Sequence, residues 1–336
     1  MQQHKIMTSF TSSSPDDVTK CFEYYCMPSY WSTKHKSRDD VITHFVTKMT
    51  ENSKLVVEQT KSRCELDATY GEGDRAKIDF FYPKGSNLSD PKALDGVPIF
   101  VFIHGGYWEE GSRSFHRGLA KPYLDQNAIV AFIGYDLSSD SHKIPDTEQQ
   151  CVKALTFLTD KYPKSRVVLS GHSAGAYLAT AMLSYQQLVP RFHALVLLCG
   201  VYELSDLMNT HIRKAIDVSR LDEQNLLCRQ FGKPSINRND DVDADKKNDQ
   251  KNKQNLIGNS KDARDTKCKL PKILMYIGES ESPIFHCQSI RMFEKLSRDG
   301  FNVTFNALKG EDHFSLIEEM LDQGSVITQS IFELLW

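Results

Sequence analysis

The sequence predicts an α/β fold in which helices cover both faces of a mostly parallel sheet. From about residue 97 onward, short apolar runs alternate with helical patterns, which is typical of βα units. The runs at 167–169 and 194–198 are apolar throughout, as expected for strands that are buried on both faces. Because ligands in such sheets bind beyond the carboxyl ends of the strands, we expect the functional site there.

The elements follow in order along the chain. A helix is predicted to begin at Ser37, because Asp40 stands three residues later and apolar residues then recur at helical spacing. A turn at 70–73 and an alternating segment at 76–82 predict an antiparallel edge to the sheet. Further strands are predicted at 98–103, 128–135, 167–169, 194–198, 272–277 and 302–308, and further helices at 147–162, 174–183 and 325–335.

Two segments depart from this pattern. Residues 1–36 form an N-terminal segment whose aromatic side chains predict that part of it packs on the single domain at 37–336. Residues 233–269 are mostly Lys, Asp, Asn, Gln and Ser, so they bury too little apolar surface to offset their ordering entropy. We expect a disordered insertion here, beside a cap region that follows the strand at 194–198. A docking or regulatory segment is the alternative.

The composition excludes several classes of protein. The 336 residues are 40% hydrophobic and 25% charged, which suits a large globular core. A net charge of -3 gives no general attraction to nucleic acid or to an anionic membrane. We see no signal peptide or membrane span, and the eight cysteines form no C-x-x-C pair, so we expect a cytoplasmic protein with reduced thiols. The sequence is compatible with a homodimer but does not determine the oligomeric state.

The strongest motif is Gly171-His-Ser-Ala-Gly175, which fits the pattern G-x-S-x-G between a predicted strand and a predicted helix. A sharp turn there would strain Ser173 and lift its hydroxyl clear at the start of the helix. The two glycines remove β-carbons that would collide. An ordinary Gly-Ser turn is the alternative, but the flanking strand and helix favour a nucleophile. We interpret His172 as structural.

A serine nucleophile needs a base, and that base needs an acid to orient it. His313 is the best candidate base, because it follows the last predicted strand and fits the chain order Ser, acid, His. A surface-loop histidine is the alternative. Glu279 and Glu281 compete for the role of acid after the strand at 272–277. We prefer Glu281, which lies further out on the turn, and regard Asp312 as weaker because it adjoins the histidine.

Backbone N–H groups are the best donors to a developing oxyanion. Ala174, the residue after the predicted nucleophile, supplies one of them. The segment His-Gly-Gly-Tyr-Trp at 104–108 supplies the others, and Gly105, Gly106 and Tyr107 are the candidates. A plain strand-to-loop turn is the alternative interpretation of this segment.

These motifs are joined by four others along the chain. The full set is His104-Gly-Gly-Tyr-Trp108, Gly171-His-Ser-Ala-Gly-Ala176, Gly200-Val-Tyr-Glu-Leu204, Glu311-Asp-His-Phe314, Tyr70-Gly-Glu-Gly73 and the turn Ser282-Pro-Ile-Phe285. Together they resemble the kynurenine formamidase (arylformamidase) family of α/β-hydrolases, over most of the chain from about residue 24 except the insertion. The resemblance implies hydrolysis of N-formyl-L-kynurenine to L-kynurenine and formate in tryptophan catabolism, without metal or cofactor.

The resemblance also implies roles for individual residues. It makes Ser173 the nucleophile, His313 the base and position 281 the acid, where the family usually has Asp and this chain has Glu281. The leaving group is an aromatic amine, so its side of the pocket should offer aromatic rings. The candidates for substrate binding are Tyr107, Trp108, Tyr202 and Phe285, and core packing is the alternative for each.

Two other functions remain open at this point. A broad-specificity carboxylesterase of the same fold would use the same groups, so only substrate kinetics can separate it from a formamidase. A non-enzymatic binding protein would be expected to have lost part of the Ser, Glu and His set, which is intact here.

Overall fold

The computed structural model describes residues 15–231 and 270–336. The insertion predicted at 233–269 and the first fourteen residues of the N-terminal segment therefore lie outside the described residues. Among the described residues, no helix is long and apolar enough to cross a membrane.

Eight strands in the described part of the chain form one sheet in the order β1-β2-β4-β3-β5-β6-β7-β8. They are β1 (Cys64–Thr69), β2 (Lys77–Phe81), β3 (Ile99–Ile103), β4 (Ile129–Ile133), β5 (Val167–His172), β6 (Phe192–Leu198), β7 (Lys272–Ser280) and β8 (Asn302–Asp312). β2 pairs antiparallel with β1 and with β4, whereas the six strands from β4 to β8 in the sheet order run parallel. The prediction of a mostly parallel sheet is confirmed.

Helices cover both faces of this sheet, as predicted. They are α1 (Pro15–Cys26), α2 (Arg38–Thr60), α3 (Ala120–Asp125), α4 (Ile144–Lys161), α5 (Ala174–Ala181), α6 (Leu221–Gln224), α7 (Pro283–Arg298), α8 (Ser315–Glu319) and α9 (Val326–Leu335). Ile99, Val101 and Ile103 of β3 point into the core under α4, α5 and α7. Phe100 and Phe102 point into the core under α2, α3 and α9. Side chains alternate along a strand, so one apolar run supplies both cores.

The start of one helix agrees with the sequence prediction, and the starts of two others differ from it. α2 begins as predicted, because the Ser37 hydroxyl accepts a hydrogen bond from the Asp40 N–H at 3.1 Å. α4 begins at Ile144, one turn before the predicted start. The segment that we took for a turn at 282–285 is the start of α7, where the Ser282 hydroxyl accepts from the Phe285 N–H at 3.3 Å and Pro283 occupies the first helical position.

A tight connection joins β5 directly to α5. The one residue between them, Ser173, has φ 55° and ψ −119°, which is a strained conformation for a residue with a side chain. A β-carbon at Gly171 would lie 2.1 Å from the carbonyl oxygen of Gly175, and one at Gly175 would lie 2.1 Å from that of Ile103. Strand and helix can therefore approach this closely only because both positions are glycine.

Substitution of Gly175 tests this close approach. We expect Gly175→Ala to lower the free energy of unfolding by about 3 kcal/mol, because the new methyl group meets backbone atoms of β3 that cannot rotate away. Gly71→Ala is the control, since its β-carbon would meet its nearest neighbour at an ordinary 3.7 Å. Urea unfolding of both variants measures the difference, and equal losses would contradict the packing argument.

Candidate active site

The predicted site residues come together at the carboxyl edge of the sheet. His104 follows β3, Ser173 follows β5, Glu281 follows β7 and His313 follows β8. Since β3, β5, β7 and β8 belong to the parallel part of the sheet, their carboxyl ends lie at the same edge. Ligands of open α/β sheets bind at this edge.

His313 and Glu281 form a buried pair. The Nδ1 atom of His313 lies 2.6 Å from Oε2 of Glu281, and the two side chains are 6% and 0% exposed. The other carboxylate oxygen, Oε1, accepts a hydrogen bond from the Ser282 N–H at 2.8 Å. An imidazole that donates from Nδ1 presents Nε2 as its free basic nitrogen. The pair therefore holds the ring in the tautomer that a base for a serine needs.

The two rival carboxylates have other partners. Glu279 is exposed, and its Oε2 accepts a hydrogen bond from the Gly310 N–H at 2.8 Å. Asp312 accepts hydrogen bonds from the N–H groups of Phe314 and Ser315, at 2.9 and 2.8 Å. Burial raises the pKa of Asp312, but hydrogen bonds from Ser315, Ser32 and Phe314 outweigh it and the pKa is lowered. Asp312 thus stabilises the turn as a carboxylate, and of these three acids Glu281 is the one beside Nδ1 of His313.

The loop after β3 lies directly against Ser173. A β-carbon at Gly105 would lie 3.0 Å from Cβ of Ser173 and 2.7 Å from the carbonyl oxygen of His172. The loop is strained, with φ values of 50° at Tyr107 and 60° at Trp108. Backbone of this loop and the first N–H groups of α5 thus border the same serine, and the first N–H groups of a helix have no partner within the helix.

His172, which the sequence analysis interprets as structural, contacts the backbone of His313. Its Nε2 lies 3.0 Å from the carbonyl oxygen of His313, and the two rings lie 4.5 Å apart. Burial, and then the charge of His313, lower the pKa of His172 well below its usual value. The neutral ring can donate from Nε2 and so supports the backbone of His313. In the sequence, only the position of His172 inside the G-x-S-x-G motif indicated that its side chain would lie near the site.

The four aromatic candidates for substrate binding have different surroundings. The ring of Phe285 is fully buried, as core packing would require, and lies 5.6 Å from that of His313 and 6.5 Å from that of Tyr107, which is half-buried. Trp108 is fully buried and packs edge-on against Tyr177 at 5.2 Å, yet its Nε1 has no hydrogen-bond partner among the described residues. Tyr202 is 1% exposed and lies in the same core.

The N-terminal segment contacts the loops around the site, which the sequence did not reveal. The carbonyl oxygen of Cys26 accepts a hydrogen bond from the Tyr107 hydroxyl at 2.6 Å, and that of Tyr25 accepts one from the Ser282 hydroxyl at 2.7 Å. Ser32 bonds to Asp312 in the loop that carries His313. The segment thus ties together the loops after β3, β7 and β8.

One group of potential metal ligands occurs among the described residues. Donor atoms of His172, Cys199 and His313 lie within 4.8 Å of one another, and all three side chains are buried. His172 is engaged by the carbonyl of His313, and His313 by Glu281. Burial, followed by the charge of Glu281, raises the pKa of the Cys199 thiol well above its usual value, whereas a metal ligand must be a thiolate. That the site uses no metal or cofactor stays a prediction from the sequence.

Two more histidines support the loop after β3 in their neutral form. His104 and His116 are buried, and burial is the main cause that lowers their pKa values from 6.5 to about 3 and about 4. The ring of His104 stacks on Tyr135 at 4.2 Å, and the Tyr135 hydroxyl donates to the His104 carbonyl at 2.9 Å.

These depressed pKa values predict acid destabilisation. Below pH 6.5 the unfolded chain binds protons at these histidines and the folded chain does not, so stability falls from pH 6.5 towards pH 4 by about 1.4 kcal/mol per pH unit for each. In His116→Asn, whose amide can still donate to Ser112, this slope should be smaller by one such contribution. Urea unfolding at a series of pH values measures both slopes. An unchanged slope in the variant would contradict the neutral, buried state of His116.

Comparison with known proteins agrees with this geometry. Residues 100–316 match the model of a protein family whose members have the α/β hydrolase fold. The chain belongs to this family. Among relatives of this α/β hydrolase, kynurenine formamidase of Danio rerio is 24% identical over 333 residues, which cover 98% of this chain and 99% of the relative. Kynurenine formamidase of Drosophila melanogaster is 28% identical over 308 residues, covering 87% and 89%.

Solved structures share the fold of this α/β hydrolase. One described as a thioesterase, from a Silicibacter species, has a TM-score of 0.65 at 24% identity and covers 85% of this chain and 92% of its own. Esterase B from Lactobacillus rhamnosis has a TM-score of 0.57 at 17% identity and covers 87% and 96%. The fold class predicted from the sequence is therefore confirmed.

Proposed function

We propose that this α/β hydrolase cleaves the formyl amide of N-formyl-L-kynurenine to give L-kynurenine and formate. Similarity to kynurenine formamidases over nearly the whole chain supports this choice of substrate. The observation that carries the chemistry is the buried pair of His313 and Glu281 beside the strained turn at Ser173. A serine with a base oriented in this way forms and hydrolyses acyl intermediates.

In the first half-reaction the Ser173 oxygen attacks the formyl carbon, and Nε2 of His313 takes the hydroxyl proton. The carbonyl oxygen becomes negatively charged and accepts hydrogen bonds from the N–H groups of Ala174 and of Gly105 or Gly106. Each such donor contributes a factor of about 10²–10³ to kcat. Glu281 stabilises the imidazolium that forms. The C–N bond then breaks as His313 returns the proton to the aryl nitrogen, and L-kynurenine leaves with the formyl group on the serine.

In the second half-reaction water replaces the amine. Nε2 of His313 takes a proton from the water, whose oxygen attacks the formyl ester, and the same N–H groups receive the oxyanion. The Ser173–carbon bond breaks, the serine recovers its proton from the imidazolium, and the product leaves as formic acid, which releases the second proton of the water to solvent and becomes formate. Because one histidine serves both halves, its orientation by Glu281 matters twice.

The surroundings of His313 suit an aromatic leaving group. Phe285 is fully buried and packs near the His313 ring, and the half-buried Tyr107 lies next to Phe285, so Tyr107 is the ring of this pair that an aryl amine leaving from His313 would meet. The formyl carbon carries only hydrogen and needs little room on the other side.

Substrate kinetics test the proposal against a broad-specificity carboxylesterase. We expect a higher kcat/KM for N-formyl-L-kynurenine than for phenyl acetate, with equal amounts of formate and L-kynurenine released. The rate of the Ser173→Ala variant, prepared in the same way, is subtracted from the parent rate for each substrate to correct for contaminating hydrolases. Rapid hydrolysis of the ester with none of the formamide would reject the formamidase and favour the esterase.

A further inference from the structure

The carboxyl end of α1 is joined to two loops of the proposed site. The last four carbonyl groups of a helix have no partner within the helix. At the end of α1 the hydroxyl of Tyr107, in the loop after β3, donates to the Cys26 carbonyl at 2.6 Å. The hydroxyl of Ser282, in the loop after β7, donates to the Tyr25 carbonyl at 2.7 Å. One helix end therefore holds both loops.

This helix end is itself fixed by the N-terminal segment. The carbonyl of Glu23 accepts a hydrogen bond from the Met27 N–H at 2.9 Å, and that of Tyr24 accepts one from the indole N–H of Trp31 at 3.0 Å. Cys26 is fully buried. All four terminal carbonyl groups thus have partners, so the end of α1 is a rigid support for the loops that bind to it.

Ser282 connects this support to the proposed acid. Its N–H donates to Oε1 of Glu281 at 2.8 Å, and its hydroxyl accepts from the Phe285 N–H at 3.3 Å at the start of α7. Ser282 is fully buried, and donation to the Tyr25 carbonyl gives its hydroxyl proton the partner that a buried group needs. Bonds to α1 and to α7 therefore fix the backbone that holds the Glu281 carboxylate.

Tyr107 connects the same support to the loop of the oxyanion donors. It directly follows Gly105 and Gly106, whose N–H groups are the proposed donors, and its φ of 50° is strained. Strain of this kind persists only where surrounding contacts impose it. The bond from the Tyr107 hydroxyl to the Cys26 carbonyl is a contact of this kind, because it anchors the side chain of the strained residue.

We propose that Tyr107 and Ser282 are positioning residues, through which the carboxyl end of α1 holds the oxyanion donors and Glu281 in one fixed arrangement. This inference rests on the roles proposed above for Glu281 and for the N–H groups of Gly105 and Gly106. These groups must keep their positions around the reacting carbon, since a misplacement of about 1 Å can cost two orders of magnitude in rate. Because neither hydroxyl is expected to touch the substrate, loss of either should lower kcat and leave KM little changed.

Tyr107→Phe removes one hydroxyl and keeps the ring that the aryl amine would meet. We expect kcat for N-formyl-L-kynurenine to fall about 10-fold, a part of the factor of about 10²–10³ that a whole oxyanion donor contributes. Tyr70→Phe is the matched control, because Tyr70 is also half-buried and its hydroxyl donates to the Gly134 carbonyl at the same 2.6 Å. The control should lose a similar amount of thermal stability and keep kcat within about 2-fold of the parent.

Ser282→Ala removes the bond to α1 together with the cap of α7. We expect kcat to fall about 10-fold here as well, because the backbone beside Glu281 loses two of its contacts. Ser53→Ala is the matched control: Ser53 is buried, and its hydroxyl donates to the Phe115 carbonyl at 2.8 Å and accepts from the Gly118 N–H at 3.0 Å. Both variants should unfold at a lower temperature, and only Ser282→Ala should be slow.

Hydrogen exchange tests whether the effect acts through α1. Backbone amides at the carboxyl end of α1 should exchange faster in Tyr107→Phe and Ser282→Ala than in the parent, and at the parent rate in the two controls. A parent-like kcat in either site variant, an equal loss of kcat in its control, or unchanged exchange in a slow variant would overturn the inference.

The same variants are also measured with phenyl acetate, because an esterase of this fold would use the same groups. A parent enzyme that hydrolyses the ester and none of the formamide would reject the proposed substrate, and the ester rates of the variants would then decide the inference. A parent-like rate for Ser173→Ala would instead reject the triad. The failure of the inference is therefore distinguishable from the failure of the proposed function.

Discussion

Ser173→Ala should lower kcat for N-formyl-L-kynurenine by about 10⁶-fold while the protein keeps its fold. Loss of a serine nucleophile costs about this much where serine, histidine and acid act as one unit. The residual rate comes from the oxyanion donors and from substrate binding, which the variant keeps. Since alanine adopts the positive φ of this turn no worse than serine, thermal stability should change little. Single-turnover assays at high enzyme concentration can measure so slow a rate.

Ser170→Ala is the matched control for this experiment. Ser170 lies three residues earlier in β5, is fully buried, and its hydroxyl has no hydrogen-bond partner among the described residues. Removal of that hydroxyl should leave kcat unchanged and should not lower stability, because an unpaired buried polar group is itself costly. If the Ser173→Ala variant turned over substrate at the parent rate, the nucleophile would lie elsewhere.

The fold could be predicted because its signals are local. The fully apolar strands, such as the one at 99–103, and the glycines at 171 and 175 are properties of short segments, and they determine the parallel sheet and the sharp turn. Helix ends were less certain, because they depend on capping contacts such as that of Ser282. α1 was missed because its tyrosines and cysteines favour helix only weakly and it packs on distant loops.

Contacts between distant segments could not be predicted in the same way. His172 supports the backbone of His313, which lies 141 residues later, and the Tyr25 carbonyl accepts from Ser282, 257 residues later. Cys199 is fully buried, and its positive φ and the closeness of its sulfur to the rings of His172 and His313 follow from how the strands align in the assembled sheet. No local pattern encodes these distances, because they depend on the assembled sheet.

The choice between Glu279 and Glu281 as the acid also depends on a contact between distant segments, because His313 lies 32 residues after Glu281. Substitution of Glu281 gives the second of the two largest effects that we expect on kcat. Glu281→Gln should lower kcat about 10⁴-fold, as expected when the acid that orients a catalytic histidine becomes an amide. The glutamine has nearly the same shape, but it can present an N–H group to Nδ1 of His313 and so favour the wrong tautomer. It also lacks the charge that stabilises the imidazolium.

Glu279→Gln is the control on the same loop. Glu279 is exposed, and its side chain accepts a hydrogen bond from the Gly310 N–H, which the amide oxygen of glutamine can also accept. We expect its kcat to stay within about 3-fold of the parent, since an exposed neutral hydrogen bond contributes little. Both variants should show parent-like KM values, because neither carboxylate is expected to touch the substrate. If Glu279→Gln lost activity while Glu281→Gln kept it, the 2.6 Å contact with His313 would not be the catalytic pair.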